Sequence, residues 1–314
     1  MNATANLSGP YTSLDQLMHR RHAAAALQVL WKTPARSVIE AGTSRSKFRG
    51  RGMEFAEVRA YEPGDDIRTI DWRVTARKGR LHTKLFQEER ERPMLVLVDQ
   101  TASMFFGSKV RFKSVAAADA AALLAWAALN NGDRVGGMVV GTRDCDAIRP
   151  KRSRNAVLQL LRALDERNRQ LCRPQAQAQD IDFATSFTRL RQIRCTGGQL
   201  FVISDFRCLL KPQSRRLVAE QLYILRRHNQ ISLIMVHDPL ERHLPANGQY
   251  RVTNGKIDLA VDAANSMIQR GYRDFFENRC KILQELCHQQ GLKLSFLETT
   301  AVTVKALLNP QPII

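Results

Sequence analysis

Asp99, Thr101 and Ser103 place one carboxylate and two hydroxyls at alternate positions, directly after the apolar run Met94–Val98. Oxygen-only ligands of this kind suit a hard cation such as Mg²⁺ or Mn²⁺. A second carboxylate, Asp205, follows the apolar run Leu200–Ile203 in the same way. Both runs read as buried strands. If the two strands lie side by side, both carboxylates emerge at one sheet edge. Ligands of open α/β sheets collect just past the carboxyl ends of strands. Asp, Thr and Ser are equally ordinary turn and N-cap residues. Two readings therefore stand together: a metal site, and local capping of the backbone.

The elements that must position these side chains follow from periodicity. From Pro93 onward strands and helices alternate. Strands are expected at Leu95–Val98, Val135–Val140, Gln199–Ile203, Ile231–Val236 and Leu292–Leu297. Helices are expected at Val110–Leu129, Asn155–Leu164, Phe183–Ile193, Gln213–His228 and Val302–Leu308, with a long helix over Ala263–Gln290 interrupted at Gly271 and closed by Gly291. The polar segment Asp165 to Asp180 reads as a mobile loop. Gln249–Thr253 and Ile257–Leu259 flank Asn254-Gly255, a strong hairpin signal. This alternation predicts an α/β fold: a mostly parallel sheet with helices on both faces.

Upstream, residues 1–12 read as a leader, and a helix runs from Leu14 to about Trp31, stopped by Pro34. Glu57–Tyr61 and Leu81–Phe86 alternate like strands. Between them Asp65, Asp66, Arg68, Asp71, Arg73 and Arg77 crowd around Trp72. That cluster reads as a salt-bridge network with Trp72 as its apolar anchor, or as a docking surface. The expected division is 1–36 leader and helix, 37–92 a β-rich extension, and 93–314 the α/β domain.

The 314 residues are enough for a substantial core. A hydrophobic content of 44% with 25% charged residues is that of a soluble globular protein. The net charge of +18 favours acidic partners: nucleic acid, an anionic membrane surface or an acidic protein. No apolar run approaches the length of a membrane span, and the N-terminus lacks a secretory pattern, so a cytoplasmic location is expected. Six scattered cysteines without a C-x-x-C pair argue against a zinc site or a disulfide framework. There is no phosphate-binding glycine loop, nucleophile elbow or metal-spaced histidine pair in a favourable setting, so catalysis has little support.

The stretch GMEFAEVRAYEPGDDIRTIDWRVTARKGRLHTKLFQEERE, followed by the strand and DQTASMFFG, resembles the bacterial DUF58 family (domain of unknown function). FVISDF, VHDPLERHLP and the long helix containing Tyr272 are similar to the same family. The resemblance implies a von Willebrand factor A-like domain carrying a metal-ion-dependent adhesion site. Asp99, Thr101 and Ser103 match its Asp-x-Ser-x-Ser motif, with threonine for the first serine, and Asp205 matches its late aspartate. That site normally takes a threonine from another loop, where this chain has Ile181. The implied function is a non-enzymatic interaction or scaffold protein working with a MoxR-type AAA+ ATPase on a client protein. The alternative is a nucleic-acid-binding protein using its basic surface.

Overall fold

Apolar runs flanked by polar turns become the strands of a six-stranded sheet. The computed structural model describes residues 11–27, 53–62, 67–88, 92–171, 182–193, 196–245, 248–253 and 258–308. The chain divides into two units, residues 34–91 and the remainder on both sides of it.

In the larger unit the strands are β3 (Pro93–Asp99), β4 (Arg134–Val140), β5 (Cys145–Lys151), β6 (Gln199–Ser204), β7 (Gln230–His237) and β10 (Lys293–Glu298). Their order is β10-β7-β6-β3-β4-β5. All neighbours are parallel except β4 and β5. From β3 the chain builds outward through β4 and β5, then returns to the other side of β3 as β6. The strand order therefore reverses between β3 and β6, which is the switch point where such sheets bind ligands.

β3 is buried along its whole length, and successive side chains serve opposite faces. Met94, Val96 and Val98 join one core with α1 (Leu14–Ala24), α3 (Lys113–Asn130), α4 (Arg154–Leu171) and α9 (Thr303–Leu308). Leu95 and Leu97 join the other with α5 (Phe183–Leu190), α6 (Pro212–Arg226) and α8 (Ser266–Gln290). Helices cover both faces of the mostly parallel sheet, as expected. Alanine suits α3 because the helix is buried nearly all round, enclosed by the sheet, α1 and α4. α1 belongs to this unit: Leu17 and Ala24 are buried in its core, and the Trp126 indole donates to the Leu17 carbonyl at 3.1 Å.

Several expectations change. α4 runs to Leu171 rather than ending at Leu164, because polar contacts replace apolar anchors: Arg167 pairs with Asp144 and Asp146, and Asn168 donates to Ser114. Residues 172–181 lie outside the described residues. α8 passes through Gly271 unbroken and stops at Gly291, whose φ of +61° suits glycine. β5 was not foreseen, being an edge strand in which only Ile148 is buried and the other six residues are exposed or partly so. The hairpin signal corresponds to β8 (Gln249–Thr253) paired with β9 (Asp258–Asp262).

In the smaller unit β1 (Met53–Ala60) pairs antiparallel with β2 (His82–Glu88). An unforeseen helix, α2 (Trp72–Lys78), lies between them in sequence. Asp71 caps it, accepting from the Arg73 and Val74 amides at 3.0 and 3.1 Å. Trp72 is 65% exposed and is no apolar anchor. The reason is its place on the first turn of a short helix that buries no residue. Asp65 and Asp66 lie outside the described residues.

Candidate functional site

Asp99 closes β3, and its buried carboxylate accepts hydrogen bonds from its own loop and from β6. Its Oδ1 accepts from the Thr101 amide at 2.9 Å and the Thr101 hydroxyl at 2.7 Å, and its Oδ2 accepts from the Ser204 hydroxyl at 2.6 Å. The Thr101 and Ser103 hydroxyl oxygens lie 3.4 Å apart. Burial first, and the Asp205 charge second, push the Asp99 carboxyl up to about 6 against the opposing pull of the Ser204 and Thr101 hydrogen bonds.

Asp205 lies one residue beyond β6, in an opposite electrical setting. The Lys113 ammonium donates to its Oδ2 at 2.7 Å, and the Arg207 amide donates to its Oδ1 at 3.0 Å. Burial raises its pKa, but the charges of Lys113 and Arg279, with the Lys113 and Arg207 hydrogen bonds, together hold the carboxyl below the ordinary range. The backbone turns sharply here. Phe206 has a φ of +53°, a left-handed conformation costing about 1–3 kcal/mol for a side chain of this type. Burial of its ring and the 3.0 Å bond from its amide to the Ser204 hydroxyl hold it there.

Lys113 is the residue that sequence reasoning missed. It opens α3, is fully buried, and also donates to Glu241 Oε1 at 2.9 Å. Glu241 belongs to α7 (Pro239–Arg242), where it completes a capping box with Asp238. Asp238 in turn accepts from Ser108, two bonds at 3.0 and 2.5 Å, and from Thr299 at 2.6 Å. Between the first loop and α3, Gly107 leaves room for the backbone: a Cβ there would stand 2.3 Å from the Arg111 carbonyl oxygen. The carboxyl edge is thus tied together by ion pairs among residues more than ninety positions apart.

An open pocket of about 360 Å³ is lined by Asp99, Thr101, Ser103 and Asp205, together with Asp182, Arg207, Cys208 and Lys211. The structure therefore brings the four sequence-predicted residues to one place. Burial, with Asp99 and Asp205 nearby, raises the Cys208 thiol well above its ordinary value, so it stays protonated. Asp182 caps α5, and Thr185 and Ser186 both donate back to carbonyls at the start of that helix, at 2.8 and 2.6 Å. Both hydroxyls are thus committed to the backbone. Ile181 lies outside the described residues.

The donor set fits a hard cation in part. Thr101 spends its proton on Asp99, which leaves its oxygen free to act as a ligand, and the pressure of Asp205 on Asp99 is the kind a cation would relieve. Asp205, however, is already paired with the Lys113 ammonium, whose charge would oppose a cation. Among the described residues, no group of three or more His, Cys, Asp or Glu side chains is placed to hold a metal. A cation here would rest on Asp99, two hydroxyls and water.

The chain matches the model of a protein family described as "Protein of unknown function DUF58" over residues 57–281. An uncharacterized protein of Mycobacterium tuberculosis, Rv1480, is 31% identical over 230 residues, covering 72% of this chain and 68% of the relative. The uncharacterized protein YeaD of Bacillus subtilis is 39% identical over 51 residues, 16% of this chain and 13% of the relative. Among solved structures, BatB of Bacteroides thetaiotaomicron shows 14% identity and a TM-score of 0.41, covering 69% of this chain and 95% of that one. An aerotolerance-related membrane protein of Bacteroides fragilis shows 11% identity and the same score and coverage. The expected cytoplasmic location is not upheld: one of these neighbours is described as a membrane protein and another, from Vibrio fischeri, as membrane spanning, words that describe those proteins and give this chain no compartment. Among the described residues no helix is long and apolar enough to cross a membrane, and that fact assigns no compartment. By the family match and its mycobacterial relatives, the chain belongs to the DUF58 family.

Proposed function

We propose that this protein is a non-enzymatic interaction protein of von Willebrand factor A-like type, docking partners at the pocket between β3 and β6. The observation that carries this reading is the convergence of Asp99, Thr101, Ser103 and Asp205 on one open pocket at the switch point of the sheet. A divalent cation, Mg²⁺ or Mn²⁺, would supply a positive centre for a partner's Asp or Glu side chain. The chain's own residues do the rest. Asp99 offers the carboxylate, Thr101 and Ser103 offer neutral oxygens, and Lys113 keeps Asp205 ionised and fixed.

The sequence resemblance supports a MoxR-type AAA+ ATPase as a partner in assembly or maturation of a client protein. Isothermal titration with Mg²⁺ and Mn²⁺ tests the site: heat is expected for the natural protein and none for Asp99→Ala. Equal heats for the two proteins reject the cation. A pull-down from the native host with and without chelator tests the partner, and capture of the ATPase that vanishes with chelator is the expected result. The net charge of +18 favours one other reading, nucleic-acid binding. A gel shift that weakens steeply with salt would support it, and no shift at low salt would discard it.

A further inference from the structure

The smaller unit carries a surface that the pocket does not explain. Ile67 is 66% exposed, Trp72 65% and Leu81 44%, three large apolar side chains within fifteen residues. Arg73, Arg77, Lys78 and Arg80 are exposed beside them in the chain. None of these four cations has a carboxylate partner among the described residues. At about 100° per residue, Trp72, Arg73, Ala76 and Arg77 occupy one face of α2, and all four are exposed. Val74 and Thr75, on the other side of the helix, are partly covered, and Thr75 accepts from the His82 amide at 3.0 Å. The helix is thus fastened by its far side and turns a tryptophan and two arginines outward.

We infer that this α2 face is a peripheral docking surface for an anionic lipid membrane. Charge complementarity supplies the attraction, since Lys and Arg are drawn to acidic headgroups. Tryptophan belongs at the boundary between headgroups and acyl chains, and aliphatic side chains beside cations are the mark of interfacial binding. Ile67 and Leu81, exposed on either side of α2 in the sequence, are aliphatic and suit acyl chains rather than the stacking on bases that single-stranded nucleic acid would call for. The surface lies on the membrane rather than in it.

The test is sedimentation of the full chain with vesicles of phosphatidylglycerol and phosphatidylethanolamine, against vesicles of phosphatidylcholine alone. Binding to the anionic vesicles only is expected, with a blue shift of tryptophan fluorescence. Each cation lost near an anionic surface weakens adsorption by about fivefold, so Arg73→Gln with Arg77→Gln should weaken it tenfold or more. Trp72→Ala should also weaken binding and abolish the blue shift. Thermal melting identifies variants that fold, and an exposed Trp72 makes that substitution safe for the core. The inference is overturned if the natural protein ignores anionic vesicles, or if folded variants bind them as well as it does. It is equally overturned if the variants lose binding to polyglutamate or to a single-stranded oligonucleotide while vesicle binding persists.

Discussion

The ends of β3 and β6 share one sequence plan and have opposite electrical outcomes. Each is an apolar run closed by an aspartate that emerges at the same sheet edge. Asp99 meets hydroxyls and the charge of Asp205, and its carboxyl rises to about 6. Asp205 meets a buried ammonium, and its carboxyl falls below the ordinary range. Neighbours, not the strand-end motif, set the charge. The difference also divides the labour at the pocket: Asp205 is structurally committed, whereas Asp99 carries the unmet demand for positive charge.

The largest way to break this contrast is Lys113→Met. The methionine removes the ammonium shared by buried Asp205 and partly buried Glu241, and leaves Arg279 as the cation beside Glu241. Removing one member of a buried ion pair costs about 3–5 kcal/mol, measurable by urea unfolding at pH 7. The loss should shrink in acid, where Asp205 can take a proton. A loss below about 1 kcal/mol would mean that the ammonium is not what distinguishes the two ends.

Asp99→Asn should act with the opposite sign. The folded carboxyl of Asp99 titrates above its unfolded value of 3.8, so folding takes up a proton. Its contribution to stability is whole below about pH 3.8 and is lost as the pH rises through about 6. The asparagine variant should therefore gain on the natural protein between pH 4 and 6, by up to about 3 kcal/mol at pH 8. Asp205 behaves inversely, since its depressed carboxyl supports folding above pH 3.8 and loses that support in stronger acid. Unfolding curves across pH for both proteins check this, and parallel curves would refute it. A bound cation sharpens the same contrast. Mg²⁺ at a hundredfold its dissociation constant should stabilise the natural protein by about 2.7 kcal/mol, with little effect on Asp99→Asn.

Much of this architecture was legible in the sequence because its central strands are buried on both faces. Met94–Val98 and Leu200–Ile203 read as strands from apolar content alone, and the acids that close them stood out at once. Lys113 was not legible. Its partners Asp205 and Glu241 lie 92 and 128 residues away, and a lysine in the first turn of a helix opposes the helix dipole, so no local signal marks it. β5 was hidden by its polar edge composition. Trp72 misled for a different reason: hydrophobicity says that a side chain prefers burial, not that the fold supplies a place for it. The same side chain is better explained by what lies outside the molecule.

The smallest effect, and the finest probe of the two ends, belongs to Ser204. Its hydroxyl donates to Asp99 at 2.6 Å and accepts from the Phe206 amide at 3.0 Å, so one side chain joins the β3 carboxylate to the left-handed turn after β6. Ser204→Ala deprives the Asp99 carboxylate of a donor and the turn of an acceptor, at a cost of about 1–2 kcal/mol. That cost alone would fit any buried serine. The discriminating result lies in the pH profile. The Ser204 bond favours the ionised form of Asp99, so its removal should move the Asp99 transition to higher pH while leaving the acid-side transition of Asp205 in place. If both transitions move together, the two carboxylates titrate as one unit, and Lys113 has not separated them.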